Sequence, residues 1–236
     1  MEFDAARRLV LRHVRDAFPG FRAAMLSGSV VRNTTTPTSD IDVIVLVEDG
    51  VGSRRETVSW DGHTVDLFAY DDDGLHRWLA QDIEQRRPVL TTLILDGVPV
   101  TGSASVTDAA KAAAQSIFDE GPRLVKGPEL TRMRYVVTDL LLDVEWSMER
   151  AETLMIAAEL FQRSGDLVLA AARVWSGRGK WLLQELRDYD AVLTADLVAG
   201  LDEVAHSDAR RLLIESVETA LDHVGGRYLV GRADEG

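Results

Sequence analysis

No cysteine occurs among the 236 residues, which removes disulfides, thiolate zinc sites and cysteine nucleophiles together. No apolar run approaches the roughly 20 residues that a membrane-spanning helix needs. The five histidines, His13, His63, His76, His206 and His223, are scattered without ligand spacing, so no metal is assigned to them. No repeat of fixed period is present. Basic residues are in deficit, 26 against 39 acidic ones, giving a formal charge of -13. That balance disfavours long nucleic acids, whose binding draws on cations that neutralise phosphates. It suits a cationic small molecule, and equally it serves solubility alone.

What remains is an ordinary globular composition, 46% apolar and 28% charged. The length allows one large domain or two small ones, with ample material for a core. The opening MEFDAARRLVLRHVRD is charged and amphipathic and does not read as a signal peptide. A cytoplasmic protein with no membrane association is expected.

The stretch Leu26 to Val47, LSGSVVRNTTTPTSDIDVIVLV, concentrates the chemistry. Gly28-Ser29 forms a turn, and after ten intervening residues Asp40 and Asp42 flank Ile41 at the head of an apolar run. Strand residues two apart face the same way, so both aspartates are expected on one face, with Ile41, Val43 and Val45 on the other. Paired carboxylates repel unless a cation or proton lies between them. A divalent-metal site is the economical reading.

These residues resemble the signature of the nucleotidyltransferase superfamily that includes DNA polymerase beta, the antibiotic nucleotidyltransferases and the minimal nucleotidyltransferases. Arg32 and Ser39 match the variant of small members, GSxxR followed by SDxD. A glycine common after the arginine is here Asn33, a residue that tolerates left-handed backbone. The family's third acidic residue stands one hairpin after the paired aspartates, which is the place of Asp66.

Along the chain, a helix is expected over Phe3 to Phe18, ended by Pro19-Gly20. Phe21 to Ser27 reads as a strand, Ser29 to Asn33 as a short helix, Thr34 to Thr38 as a loop, and Asp40 to Val47 as a central strand. Arg54 to Trp60 and His63 to Tyr70 form a hairpin about Asp61-Gly62. Asp73 is expected to cap the next helix, Pro88 to open another ending near Asp96-Gly97, and Val98 to Val100 to add an edge strand. After Ser105 strand signals almost vanish. Helical segments follow at Val106 to Glu120, Glu129 to Glu149, Ala151 to Arg163, Leu167 to Trp175, Lys180 to Asp188, Ala195 to Ala205 and Asp208 to Val224, suggesting an antiparallel bundle. Fraying is expected after Val230. Periodicity does not separate a surface packed within the chain from one packed on a second copy.

Nucleotidyl transfer needs the attacking hydroxyl, the α-phosphorus and the pyrophosphate held in line, with charge neutralised by metal. Asp40, Asp42 and Asp66 are the expected ligands of two Mg²⁺ ions, and Asp66 is also placed to take the hydroxyl proton. Gly28 permits close approach of a phosphate, and the Ser29 hydroxyl donates to it. Arg32 either reaches the triphosphate or is simply exposed. The loop Trp175 to Trp181, WSGRGKW, is either an anion site or a helix end with a solvated loop. In the antibiotic nucleotidyltransferases a lysine of the helical domain reaches the nucleotide phosphates, and Lys180 resembles it in setting. Asp139, Asp143 and Trp146, spaced by four and three, share a helix face beside Glu145 and Glu149. That face is either solvated or receives a polyamine-like or aminosugar acceptor.

The expected fold is α+β, a nucleotidyltransferase-type mixed sheet with helices over 1–104 and a helical bundle over 105–236. The active site is expected in a cleft between the two. The expected function is Mg²⁺-dependent transfer of NMP, AMP from ATP first, to a hydroxyl of a small molecule such as an aminoglycoside-like antibiotic. Two other classes remain open at this point: a protein AMP-transferase of the toxin-antitoxin type, and a nucleotide-binding protein without turnover.

Overall fold

A computed structural model describes residues 1–229, so the expectation of fraying after Val230 lies outside the described residues. By its contacts the chain divides into two units, Met1–Glu120 and Gly121–Gly236. The class is α+β, with a five-stranded mixed sheet and helices in the first unit and helices throughout the described part of the second.

In the first unit the elements run α1 (Phe3–Ala17), β1 (Phe21–Ser27), α2 (Gly28–Val31), β2 (Ile41–Val47), β3 (Arg54–Trp60), β4 (His63–Tyr70), α3 (Asp72–Gln85), α4 (Val89–Asp96), β5 (Val98–Gly102) and α5 (Ala104–Glu120). Strand order is β3-β4-β2-β1-β5, with β2 and β4 parallel and the other pairs antiparallel. β2 is central and buried on both faces beyond Asp42, as its unbroken apolar run requires. The Asp61-Gly62 turn has positive φ at both residues, the geometry that joins two twisted antiparallel strands in a two-residue loop. β5, with Pro99, takes an edge.

Alternation along the strands feeds two cores. Leu26, Val43, Val45, Val65 and Leu67 pack on one face with Ala6, Leu9, Val10 and Val14 of α1. Met25, Ile44, Leu46 and Tyr70 pack on the other with Leu75 and Leu79 of α3, Leu90 and Ile94 of α4, and Ala110 and Ala114 of α5. At the edge of this second core the Arg55 guanidinium lies 4.1 Å from the Trp78 ring centroid, and Nε donates to the Tyr70 hydroxyl at 2.6 Å.

Two boundaries differ from the sequence expectation. α3 is capped by Asp71 and not Asp73, because Asp71 accepts from the Gly74 backbone N–H and also from the Ser53 hydroxyl and the Gly52 N–H. Those donors hold its carboxyl below the usual range. The division by contacts falls after Glu120, not at 104, since α5 packs on α3, α4 and β1.

The second unit holds α6 (Gly127–Trp146), α7 (Arg150–Ala171), α8 (Lys180–Tyr189), α9 (Ala191–Ser207) and α10 (Arg211–Asp222) around Val137, Leu141, Leu160, Leu197, Leu213 and Val217. α7 is one helix where two segments were expected. Gly165 lies within it, and its bare backbone is what lets α8 approach there: a Cβ would lie 2.6 Å from Leu186 Cδ1. The segment after α10 is tied back to α6. Arg134 donates to the carbonyls of Gly225 and Gly226, and Arg227 is paired with both Glu145 and Glu218. Among the described residues no helix is long and apolar enough to cross a membrane.

Candidate active site

Three neighbouring strands present one row of residues. Ser27 at the end of β1 is opposite Asp42 on β2, and Asp42 is opposite Asp66 on β4. Residues directly opposite share a face, so the two carboxylates are cross-strand neighbours on the same side of the sheet. Both are half-buried, whereas Ser27 is buried and donates to the Leu93 carbonyl of α4 at 2.6 Å. Asp66 is in turn opposite Thr57 on β3, whose hydroxyl donates to its Oδ1 at 2.6 Å.

Gly28 turns the chain out of β1 with φ +66°. A Cβ at this position would lie 1.8 Å from Asp42 Oδ2, so only a glycine lets the turn sit against that carboxylate. Ser29 follows in α2 and is half-buried. Asn33 then takes φ +55°, the left-handed backbone that the common family glycine would adopt without strain.

Asp40 departs from the expected strand. It is exposed and precedes β2, whose pairing starts at Ile41 with Val65 on one side and at Asp42 with Ser27 on the other. β1 has passed into α2 by that point, and neither the β1 nor the β4 ladder extends to Asp40. The loop before it is held by Ser39, whose Oγ accepts the Thr36 N–H at 2.8 Å. Arg32 is exposed and makes an ion pair with Asp96 Oδ2 at 2.8 Å.

Among the described residues no three His, Cys, Asp or Glu side chains gather into a ready metal cage. Mg²⁺ is commonly held by one or two carboxylates together with substrate phosphates, and the donors here are hard oxygens. The Asp42 and Asp66 pair, with Gly28 packed directly against the Asp42 carboxylate, fits that mode of binding. A cavity of about 100 Å³ lined by Phe18, Val47, Val51, Gly52, Ser53, Arg54 and Ala69 lies toward the other end of β2 and is too small for a nucleotide.

In the second unit Lys180 is the exposed first residue of α8, with Nζ 5.1 Å from the Trp181 ring centroid. Its loop is anchored by buried Trp175 and by Ser176, which donates to Asp166 Oδ1 at 2.8 Å. Asp139 and Asp143 are exposed on α6, and Trp146 is 77% exposed. The neighbouring acids have structural duties: Glu145 holds Arg227, and Glu149 caps α7 at Ala151 N–H. Glu185, which sequence reasoning passed over, has its carboxyl pushed up to about 7 by burial and then by the Asp188 charge. Thr57 was missed as well: counting out from the two-residue Asp61-Gly62 turn puts it opposite Asp66, but nothing in the sequence shows that its hydroxyl meets the carboxylate.

Residues 8–92 match the family model of the nucleotidyltransferase domain. No curated protein matches. Among solved structures the chain is similar to a nucleotidyltransferase-like protein from Exiguobacterium sibiricum 255-15, at 13% identity and a TM-score of 0.45, over 92% of this chain and 74% of that one. It is also similar to a toxin-antitoxin structure with AMP-PNP, at 17% identity and a TM-score of 0.32, over 48% of this chain and 87% of that one. Likenesses this distant assign nothing to individual residues. The domain match spans the strands and the turn that carry Gly28, Asp42 and Asp66, and through it residues 8–92 are identified as a nucleotidyltransferase domain, a domain of an enzyme class.

Proposed function

We propose that the protein transfers a nucleoside monophosphate, AMP from ATP in the leading case, to a hydroxyl of a small-molecule acceptor, with Mg²⁺ as cofactor. The observation that carries this reading is the row of Ser27, Asp42 and Asp66 on adjacent strands, with Gly28 packed against the Asp42 carboxylate. In the reaction the acceptor oxygen bonds to the α-phosphorus, the bond from that phosphorus to the β-bridging oxygen breaks, and pyrophosphate leaves. Asp66 receives the hydroxyl proton. Gly28 gives the triphosphate access to the backbone, and the Ser29 hydroxyl donates to a β- or γ-oxygen. Asp40, Asp42 and Asp66 would hold the divalent ions, two in the full complement, which neutralise triphosphate charge and acidify the acceptor hydroxyl. Arg32 joins the triphosphate by exchanging Asp96 for a phosphate.

Lys180 supplies further positive charge for the nucleotide. Asp139, Asp143 and Trp146 offer carboxylates and an aromatic plane to a cationic acceptor of the aminoglycoside-like kind, a reading supported by their shared exposure on α6 and by the net charge of -13.

The test is incubation of the full chain with Mg²⁺-ATP, a panel of aminoglycosides and cell extract, followed by mass spectrometry for nucleotidyl adducts. A modified small molecule and released pyrophosphate are expected, and Asp42→Asn should lose transfer while keeping its melting temperature. An adduct on a protein would move the acceptor to the protein AMP-transferase class. Undiminished transfer by Asp42→Asn would overturn the site.

A further inference from the structure

Asp66 has one neighbour that the reaction scheme does not use. Thr57 stands directly opposite it on the edge strand, and Oγ1 donates to Oδ1 at 2.6 Å. Among the described residues no hydrogen bond or ion pair engages Oδ2. One carboxylate oxygen is therefore anchored, while the second is left for a ligand. The anchoring residue has a small, β-branched side chain on a strand that keeps its backbone in register on both sides, Glu56 with Leu67 and Val58 with Val65. Its hydroxyl position is thus set by the sheet and not by a flexible loop.

We infer that Thr57 is a positioning residue that orients Asp66 for divalent-metal binding, which rests on the proposed reading of Asp40, Asp42 and Asp66 as the metal site. Donors behind a ligating carboxylate fix its orientation, and their removal typically weakens metal affinity by about 10- to 100-fold. A purely structural threonine, present because β-branched residues suit strands, would show no such effect, and valine replaces it with nearly the same shape.

The experiment titrates Mn²⁺ into the full chain with a non-hydrolysable ATP analogue present, and reads free Mn²⁺ by electron paramagnetic resonance. Wild type, Thr57→Val, Thr57→Ser and Asp66→Asn are compared, with melting temperatures measured alongside. Thr57→Val should bind the Mn²⁺ that depends on Asp66 about 10-fold more weakly, at an unchanged melting temperature, and Thr57→Ser should restore binding. Wild-type Mn²⁺ affinity in Thr57→Val, with that Mn²⁺ lost in Asp66→Asn, would overturn the role of Thr57 while leaving the metal site standing. Unchanged binding in Asp66→Asn would overturn the metal-site reading itself, and this inference with it. Thr57→Ala serves as the second variant should valine disturb the edge strand.

Discussion

At the scale of single residues, Gly28 is the position where backbone and chemistry constrain each other most tightly. Its φ of +66° already disfavours any side chain, and an added Cβ would overlap Asp42 Oδ2 at 1.8 Å. Gly28→Ala should therefore displace the Asp42 carboxylate and lower transfer by on the order of 100-fold, the scale of loss for a misplacement near 1 Å. Folding should be weakened by about 1–2 kcal/mol for the left-handed alanine. Activity and urea unfolding measured on the same preparation check this, and full activity would show that Asp42 does not need the space. The glycine was legible in the sequence through the Gly-Ser spacing to Asp40 and Asp42, and so was Asn33 as a left-handed residue. Thr57 was not, because a threonine in an alternating strand looks the same whether or not its hydroxyl meets a carboxylate. Asp40 was over-read as a strand residue because i and i+2 spacing says nothing about where the neighbouring strand ends.

At the scale of elements, local propensity located most strands and helices, and it failed where a tertiary contact decided the matter. Ser164-Gly165-Asp166 reads as a break, yet α7 runs through it, and the glycine there serves a tertiary contact, since Leu186 of α8 occupies the space where a Cβ would stand. α8 carries a second consequence of that packing, the half-buried Glu185. Its carboxyl is raised from 4.5 to about 7, chiefly by burial. Between those two values the folded chain keeps a proton that the unfolded chain has lost, so this group's contribution to stability falls as pH rises through the window. Glu185→Gln mimics the protonated state. The variant should melt with the parent near pH 4 and above it at pH 8, in thermal scans of both proteins in matched buffers. A constant difference across the range would show that Glu185 titrates normally. Asp71 has the opposite sign: the Gly74, Ser53 and Gly52 donors favour its charged form, so its contribution is lost as pH falls.

At the scale of the whole molecule, the question is what counts as the first folding unit. Ala-rich α5 looked like the opening of the helical bundle, because sequence pattern reports an amphipathic face and not the surface it covers. In the structure Ala110 and Ala114 join Met25, Ile44, Tyr70, Leu79 and Ile94 in one core. Lys111 also donates to the Leu95 carbonyl at 3.3 Å. Cutting the chain at 104 would uncover this face of α3, α4 and β1, whereas cutting after Glu120 keeps it closed. A fragment of residues 1–120 is accordingly expected to unfold in one cooperative transition, and residues 1–104 to lose cooperativity or aggregate through the exposed apolar surface. Circular dichroism melts of both fragments check this. Because the matched domain, residues 8–92, is complete in both, equal cooperativity would show that α5 is dispensable to the fold that carries Asp42 and Asp66. The expected difference would make α5 part of the unit that carries Asp42 and Asp66, since it packs on the sheet face that those residues share with Ile44 and Phe68.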